Sequence, residues 1–149
     1  LLATGTPEVL DEAGQLFAER HDLAVALAAT DPTDARAKRD LARSHTDLSS
    51  LAAARGQWDA AAGAAAEAVA ILRLQRQLDA KNAEVQFLFS EALEKQGESQ
   101  KGGGRIGPAA VSLGEALSSF RELAAAYPNE PYYGESVARI EATLQALAP

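Results

Sequence analysis

The sequence predicts an all-α protein in which antiparallel helix pairs stack side by side as an array. Three observations carry that expectation. A polar break returns at a fixed interval: Asp31-Pro32-Thr33-Asp34-Ala35, Asp79-Ala80-Lys81-Asn82-Ala83 and Tyr127-Pro128-Asn129-Glu130-Pro131 open 48 residues apart. The alanine-rich stretches between the breaks place apolar residues at steps of three and four, the spacing of one helical face. No stretch shows the period-two alternation of a strand. A fixed period of this size marks a supersecondary unit stacked on copies of itself. Such a unit cannot bury its apolar face alone, so its neighbours must do so.

The elements follow in order, at about residues 7–29, 34–55, 57–78, 82–101, 108–127 and 131–147 of a single domain spanning 1–149. Thr6-Pro7-Glu8 opens helix one with a capping hydroxyl, a proline suited to the first position and an acid at the positive end of the dipole. Asp31-Pro32 closes it. Helix two starts near Asp34 and stops at Gly56, which can take the left-handed conformation after Arg55. Helix three runs to Leu78. Asn82 caps helix four, which fades into Gly102-Gly103-Gly104, a flexible turn and the stretch most prone to disorder. Pro108 starts helix five, Pro128 stops it, and Pro131 starts helix six.

The repeat also holds inside the helices. Leu10, Trp58 and Ile106 are equivalent, as are Ala13, Ala61 and Ala109, then Phe17, Ala65 and Leu113, then Ala24, Leu72 and Phe120. The rows Arg20, Ala68, Ala116 and Leu27, Gln75, Leu123 each contain one polar misfit. In the alternate helices Leu41, Phe89 and Val137 correspond, and Gly56 and Gly104 coincide in the turns. Trp58 therefore reads as a packing residue. Val137, Ile140, Leu144 and Leu147 form an apolar stripe on helix six that helix five or an outside surface must cover, which leaves a homo-oligomer through the terminal helix open.

The chain has 149 residues, 47% of them apolar and 5% aromatic, enough for one domain with its own core. Its net charge of -7 argues against nucleic acid as a partner. The absence of cysteine excludes a disulfide scaffold and thiol chemistry. No apolar run approaches the roughly 20 residues of a membrane span, and no signal peptide is visible, so a cytoplasmic location is expected. There is no methionine, even at Leu1, which predicts a piece of a longer protein.

Catalytic patterns are sparse. His21 lies beside Asp22, but adjacent helical residues do not face each other. His45 falls on the apolar side of helix two between Leu41 and Leu48, the place of a packed interface histidine. No close spacing supplies the ligands of a zinc site. Lys101-Gly102-Gly103-Gly104-Arg105 lacks the preceding strand and the Gly-Lys-Ser/Thr ending of a phosphate loop. Carboxylate pairs such as Asp11-Glu12 and Glu91 with Glu94 read as solvated surface. The expectation is no catalysis, no metal and no cofactor.

With the register in place, the chain resembles the tetratricopeptide repeat family. The matching residues are Leu48-Ser49, Gly56, Trp58, Ala61 and Ala68, then Gly97, Gly104, Ile106, Ala109 and Ala116, closed by Pro128. The family unit is about 34 residues, so this unit is longer by roughly two turns on each helix. It is similar to the long-helix variety attached in bacteria to Ser/Thr protein kinases and other signalling proteins, and residues 31–45 carry that likeness most closely. The resemblance implies an α-solenoid whose helices two, four and six line a groove for a protein or peptide. The groove residues would be Arg36, Arg39, Arg43 and Asp47 on helix two, Glu84, Phe87, Glu91, Glu94 and Lys95 on helix four, and Tyr132 and Arg139 on helix six. Arg43 would anchor an acidic group, since its fork binds carboxylate bidentately. Thr46 and Ser50 stand where the family's carboxylate-holding donors would be expected. The implied function is a non-catalytic interaction module, a regulatory or partner-binding segment of a larger bacterial signalling protein such as a Ser/Thr kinase. An oligomerisation or spacer module and a small helical ligand-binding or enzymatic bundle are the alternatives.

Overall fold

The computed structural model describes residues 6–148. Those residues form six α-helices and no strand: α1 (Pro7–Thr30), α2 (Ala35–Ala54), α3 (Trp58–Leu78), α4 (Ala83–Gly102), α5 (Ile106–Ala126) and α6 (Pro131–Leu147).

The helix ends show the repeat as geometry. α2 and α4 follow the polar breaks and are capped by side chains. Asp34 accepts hydrogen bonds from the backbone N–H groups of Arg36 and Ala37 at 2.8 and 3.1 Å, and Asn82 accepts from that of Val85 at 3.2 Å. α3 and α5 begin differently, after turns closed by backbone alone. Gly56 and Gly104 adopt φ of +70° and +76°, the left-handed region that only glycine enters freely. The N–H groups of Gln57 and Arg105 reach back to the carbonyls of Ala52 and Gln100, each at 2.8 Å, a Schellman closure one period apart. The glycine stretch after α4 is thus a closed turn, because its backbone donors all find carbonyls of the last helical turn. Two other expectations are also corrected. Thr6 holds the cap position of α1, but its side chain makes no capping bond. α5 begins at Ile106, ahead of Pro108. A proline within the first turn sacrifices no intrahelical hydrogen bond, because that turn has no carbonyl to donate to.

Each helix packs on the next in sequence, and α2 also touches α4 directly. The core gathers Ala68, Val69 and Leu72 of α3, Leu88, Phe89 and Leu93 of α4, and Leu113, Leu117, Phe120 and Leu123 of α5, with Ala42 and Ile140 at its margins. Buried alanines at 61, 65, 92, 109 and 116 lie along the facing helix surfaces. Small side chains there let the backbones approach closely. The apolar stripe of α6 is taken up by this core: Ile140 is buried, and Val137, Leu144 and Leu147 pack against it. The stripe is therefore not a free surface for a second copy.

The row Leu27, Gln75, Leu123 behaves unevenly. Leu123 and Gln75 are buried, with the Gln75 amide donating to the Ala35 carbonyl at 2.8 Å, whereas Leu27 is exposed. Trp58 and Ile106 are also partly exposed at their helix starts. The Trp58 ring lies over Gly102 so closely that a Cβ there would stand 2.5 Å from its Cε3 atom. Gly102→Ala should therefore displace the indole. Trp58 is free to swing outward, so the stability loss should stay under about 1 kcal/mol. The tryptophan emission should nevertheless shift to the red. Unchanged emission would mean that the ring does not rest on this glycine.

Candidate partner-binding face

The even-numbered helices form one layer of the stack. α2 and α4 touch, while α4 and α6 are joined by side chains at three levels. The Tyr132 hydroxyl donates to Glu91 at 3.1 Å, Arg139 grips Glu94 with two bonds of 2.7 and 3.1 Å, and Thr143 donates to Glu98 at 3.4 Å.

Nearly all of the residues assigned to this face from the sequence are brought together, and they are engaged with one another. Arg39 and Arg43 both pair with Glu84, and Arg43 also holds Asp40. Asp47 pairs backwards, with Arg20 of α1 at 2.6 Å. Phe87 sits edge-on to Tyr132 and tilted against Tyr133, with ring centroids 5.7 and 6.0 Å apart. Arg36 stands apart: it is exposed at the start of α2 and forms no side-chain bond among the described residues. Arg43 is accordingly not an unoccupied fork awaiting a ligand, since Glu84 fills it.

Burial shapes the acids of this layer. It raises the Glu91 carboxyl above its ordinary range, with the Tyr132 hydrogen bond pulling the other way, and raises Asp47 likewise against the opposing charge of Arg20. Tyr132 is pushed up by burial and then by the Glu91 charge. Arg139 is raised mainly by its hydrogen bond to Glu94.

Two of the open spaces along α2 and α4 adjoin residues assigned to this face. A hollow of about 260 Å³ is enclosed by Arg20, Arg43, Thr46, Asp47, Phe87 and Glu91, with Leu72 and Leu88 beneath. A larger groove of about 1010 Å³ runs between the C-terminal halves of the two helices. Ser49, Ser50, Ala53 and Ala54 line it on one side and Lys95, Glu98, Ser99, Lys101 and Gly102 on the other, with Phe17 and Trp58 also on its walls. The Ser49 hydroxyl is buried and bonds to nothing among the described residues. Of this lining the sequence reading placed only Lys95 and Ser50 on the binding face. The readable signal was the run of small residues at the end of α2, which cannot fill the space beside α4.

The two histidines, 24 residues apart in the chain, meet across α1 and α2 with ring centroids 4.6 Å apart. The Ser44 hydroxyl points its hydrogen at the Leu41 carbonyl, so His21 Nδ1 acts as donor to Ser44 at 2.9 Å. Burial, and then the charge of His21, hold His45 below the ordinary histidine range, with Glu67 opposing. A depressed folded-state value means that the unfolded chain takes the proton first, so stability falls as pH drops below about 6.5. Asp47 and Glu91, raised by burial, work in the opposite sense at lower pH. Denaturation midpoints from about pH 7.5 to 5.5 should therefore decline in the parent chain and decline less in His45→Gln. Equal slopes would show that His45 titrates as it does in the unfolded chain.

Among the described residues no three or more His, Asp or Glu side chains are grouped to hold a metal ion, and no helix is long and apolar enough to cross a membrane. No family model, curated protein or solved structure matches the chain.

Proposed function

We propose that the chain is a non-catalytic interaction module of tetratricopeptide type, in which the layer of α2, α4 and α6 receives a protein or peptide. On this reading it is a regulatory or partner-binding segment of a larger bacterial signalling protein, such as a Ser/Thr kinase. The observation that carries the reading is the groove of about 1010 Å³ between α2 and α4. It combines what a bound polypeptide needs. Phe17 and Trp58 offer apolar area, Ser50 offers a hydroxyl, and Lys95 offers positive charge on the wall where Lys101 is paired with Glu98. Pockets of this kind, apolar with a few convergent polar groups, are the usual seats of ligands. The ionic layer on the N-terminal side of the groove then acts as a frame. Its pairs hold α4 at a fixed distance from α2 and α6, and the guest does not need to break them.

The test is selection of binders from a displayed peptide library on the immobilised chain, followed by titration of the selected peptides against variants. Trp58→Ala and Lys95→Glu should each weaken binding roughly tenfold or more, a change of about 1.4 kcal/mol. Val111→Glu, on the exposed side of α5, should leave it unchanged. A library yielding no binder, or binders indifferent to both groove variants, would overturn the reading.

A further inference from the structure

Gln75 stands in a row that holds leucine in the other two copies, Leu27 and Leu123, and only half of its amide is used. Its Nε2 donates to the Ala35 carbonyl at 2.8 Å. Only the nitrogen end of an amide can face a carbonyl, so the orientation is fixed and Oε1 is left over. That oxygen is buried and accepts from nothing among the described residues. A buried acceptor without a donor is costly and calls for one.

Gln75 lines a pocket of about 130 Å³ where the first polar break lies beside the second. Leu78 and Val85 supply apolar walls, and Lys38, Arg39 and Asp79 surround them with charge. Leu78 is 85% exposed, so the pocket opens to solvent on that side. The next copy of this junction, 48 residues on, shows what such a place can hold. There Phe87, Tyr127 and Tyr133 stand at the positions of Arg39, Asp79 and Val85. Their rings meet: the Tyr133 centroid is 6.0 Å from that of Phe87 and 6.2 Å from that of Tyr127, and Tyr133 packs against the core. At the first junction none of the three positions carries a ring.

We propose that this pocket takes a phenol, a single aromatic ring whose hydroxyl donates to Gln75 Oε1. Size selects one ring, since a cavity of about 150 Å³ holds a benzene molecule. The orphaned oxygen selects a ring with a donor over a plain hydrocarbon. The positive charge of Lys38 and Arg39 suits the electron-rich face of the guest, as Arg73 and Arg76 already lie over Phe89. The pocket sits at the N-terminal ends of α2 and α4, apart from the groove between their C-terminal halves, and the proposal does not depend on that groove.

Titration of p-cresol into the isotope-labelled chain tests it, followed by the nuclear magnetic resonance signals of the Gln75 side-chain amide and the Val85 backbone. Binding should be saturable, with a Kd of roughly 1 mM. Toluene, the same ring without the hydroxyl, should bind less tightly, although it leaves water more readily. Gln75→Leu, which restores the leucine of the row, should keep the helical circular dichroism and reverse that order. Val85→Tyr, which brings in the ring carried by its counterpart, should abolish binding of both compounds. N-acetyltyrosinamide identifies the source of the phenol. If it binds as p-cresol does, the pocket serves a tyrosine of a partner polypeptide; if p-cresol alone binds, it serves a free small phenol. An absence of saturable shifts with p-cresol, toluene bound as tightly as p-cresol, or a preference for p-cresol that survives Gln75→Leu would overturn the proposal.

Discussion

Phe89→Ala should lower the stability of the chain by about 3–5 kcal/mol, the largest loss expected from any single side chain. Phe89 is fully buried in α4 within the cluster that joins α3, α4 and α5. Its ring also lies under the guanidinium groups of Arg73 and Arg76, 5.0 and 5.2 Å from its centroid. Truncation removes apolar contact area and opens a cavity that the rigid alanine-lined helices around it cannot collapse to fill. Domains of this size are stable by only about 5–15 kcal/mol in total. The melting temperature should therefore fall by roughly 10 °C, and the denaturant midpoint should drop without a change of slope. A loss below about 1 kcal/mol would place the ring at a surface instead of in the core.

Gly97→Ala should destabilise the chain, although alanine is ordinarily the better helix residue by about 1 kcal/mol. A Cβ at position 97 would stand 2.5 Å from Leu113 Cγ and 3.2 Å from the Leu113 backbone nitrogen. Leu113 is fully buried and has nowhere to swing, so α4 and α5 must separate. Overpacking of this kind costs about 1–3 kcal/mol, enough to reverse the propensity gain. Gly63 and Gly114 supply the comparison, since a Cβ at either meets nothing. Gly63→Ala and Gly114→Ala should stabilise by up to about 1 kcal/mol. Thermal denaturation of the three variants decides the matter by sign alone. In the double variant of Gly97→Ala with Leu113→Ala the total loss should be smaller than the sum of the two separate losses, which identifies the clash as the source.

What was legible in the sequence was whatever depends on local backbone chemistry. Gly56 and Gly104 could be read because a left-handed turn admits few other residues. Asp34 and Asn82 could be read because a free helix end needs an acceptor close by. The placement of apolar residues at steps of three and four marked the faces that fill the core. The partners across helices were not legible. Arg43 reaching Glu84, Asp47 turning back to Arg20 and His21 meeting His45 all depend on the offset between neighbouring helices, which no short spacing encodes. Trp58 was readable as a packing residue, but its seat on Gly102 was not, because the two lie in different helices. The candidate face shows the same division. Its helices were identified by the repeat. The ionic closure of their N-terminal halves, and the open groove left by the small residues further along, emerged only with the packing. Leu27 falls where its counterparts Gln75 and Leu123 are buried, yet lies exposed, because no described helix covers that side of α1.

The stack is tied together on both sides by exposed charges. On the layer of odd-numbered helices Arg73 holds Glu115 and Arg76 holds Glu122, and on the other layer Arg39 and Arg43 hold Glu84 while Arg139 holds Glu94. Each link spans from one copy to the next, and each is of the kind that dissolved salt screens. The molecule should therefore behave as a spring whose stiffness answers to ionic strength. Its alanine seams keep the rods together while the outer braces slacken, so bending becomes easier without any helix melting. Small-angle scattering at low and high salt would register this as a broader spread of end-to-end lengths at constant helicity, and identical profiles would show that the braces carry no mechanical share.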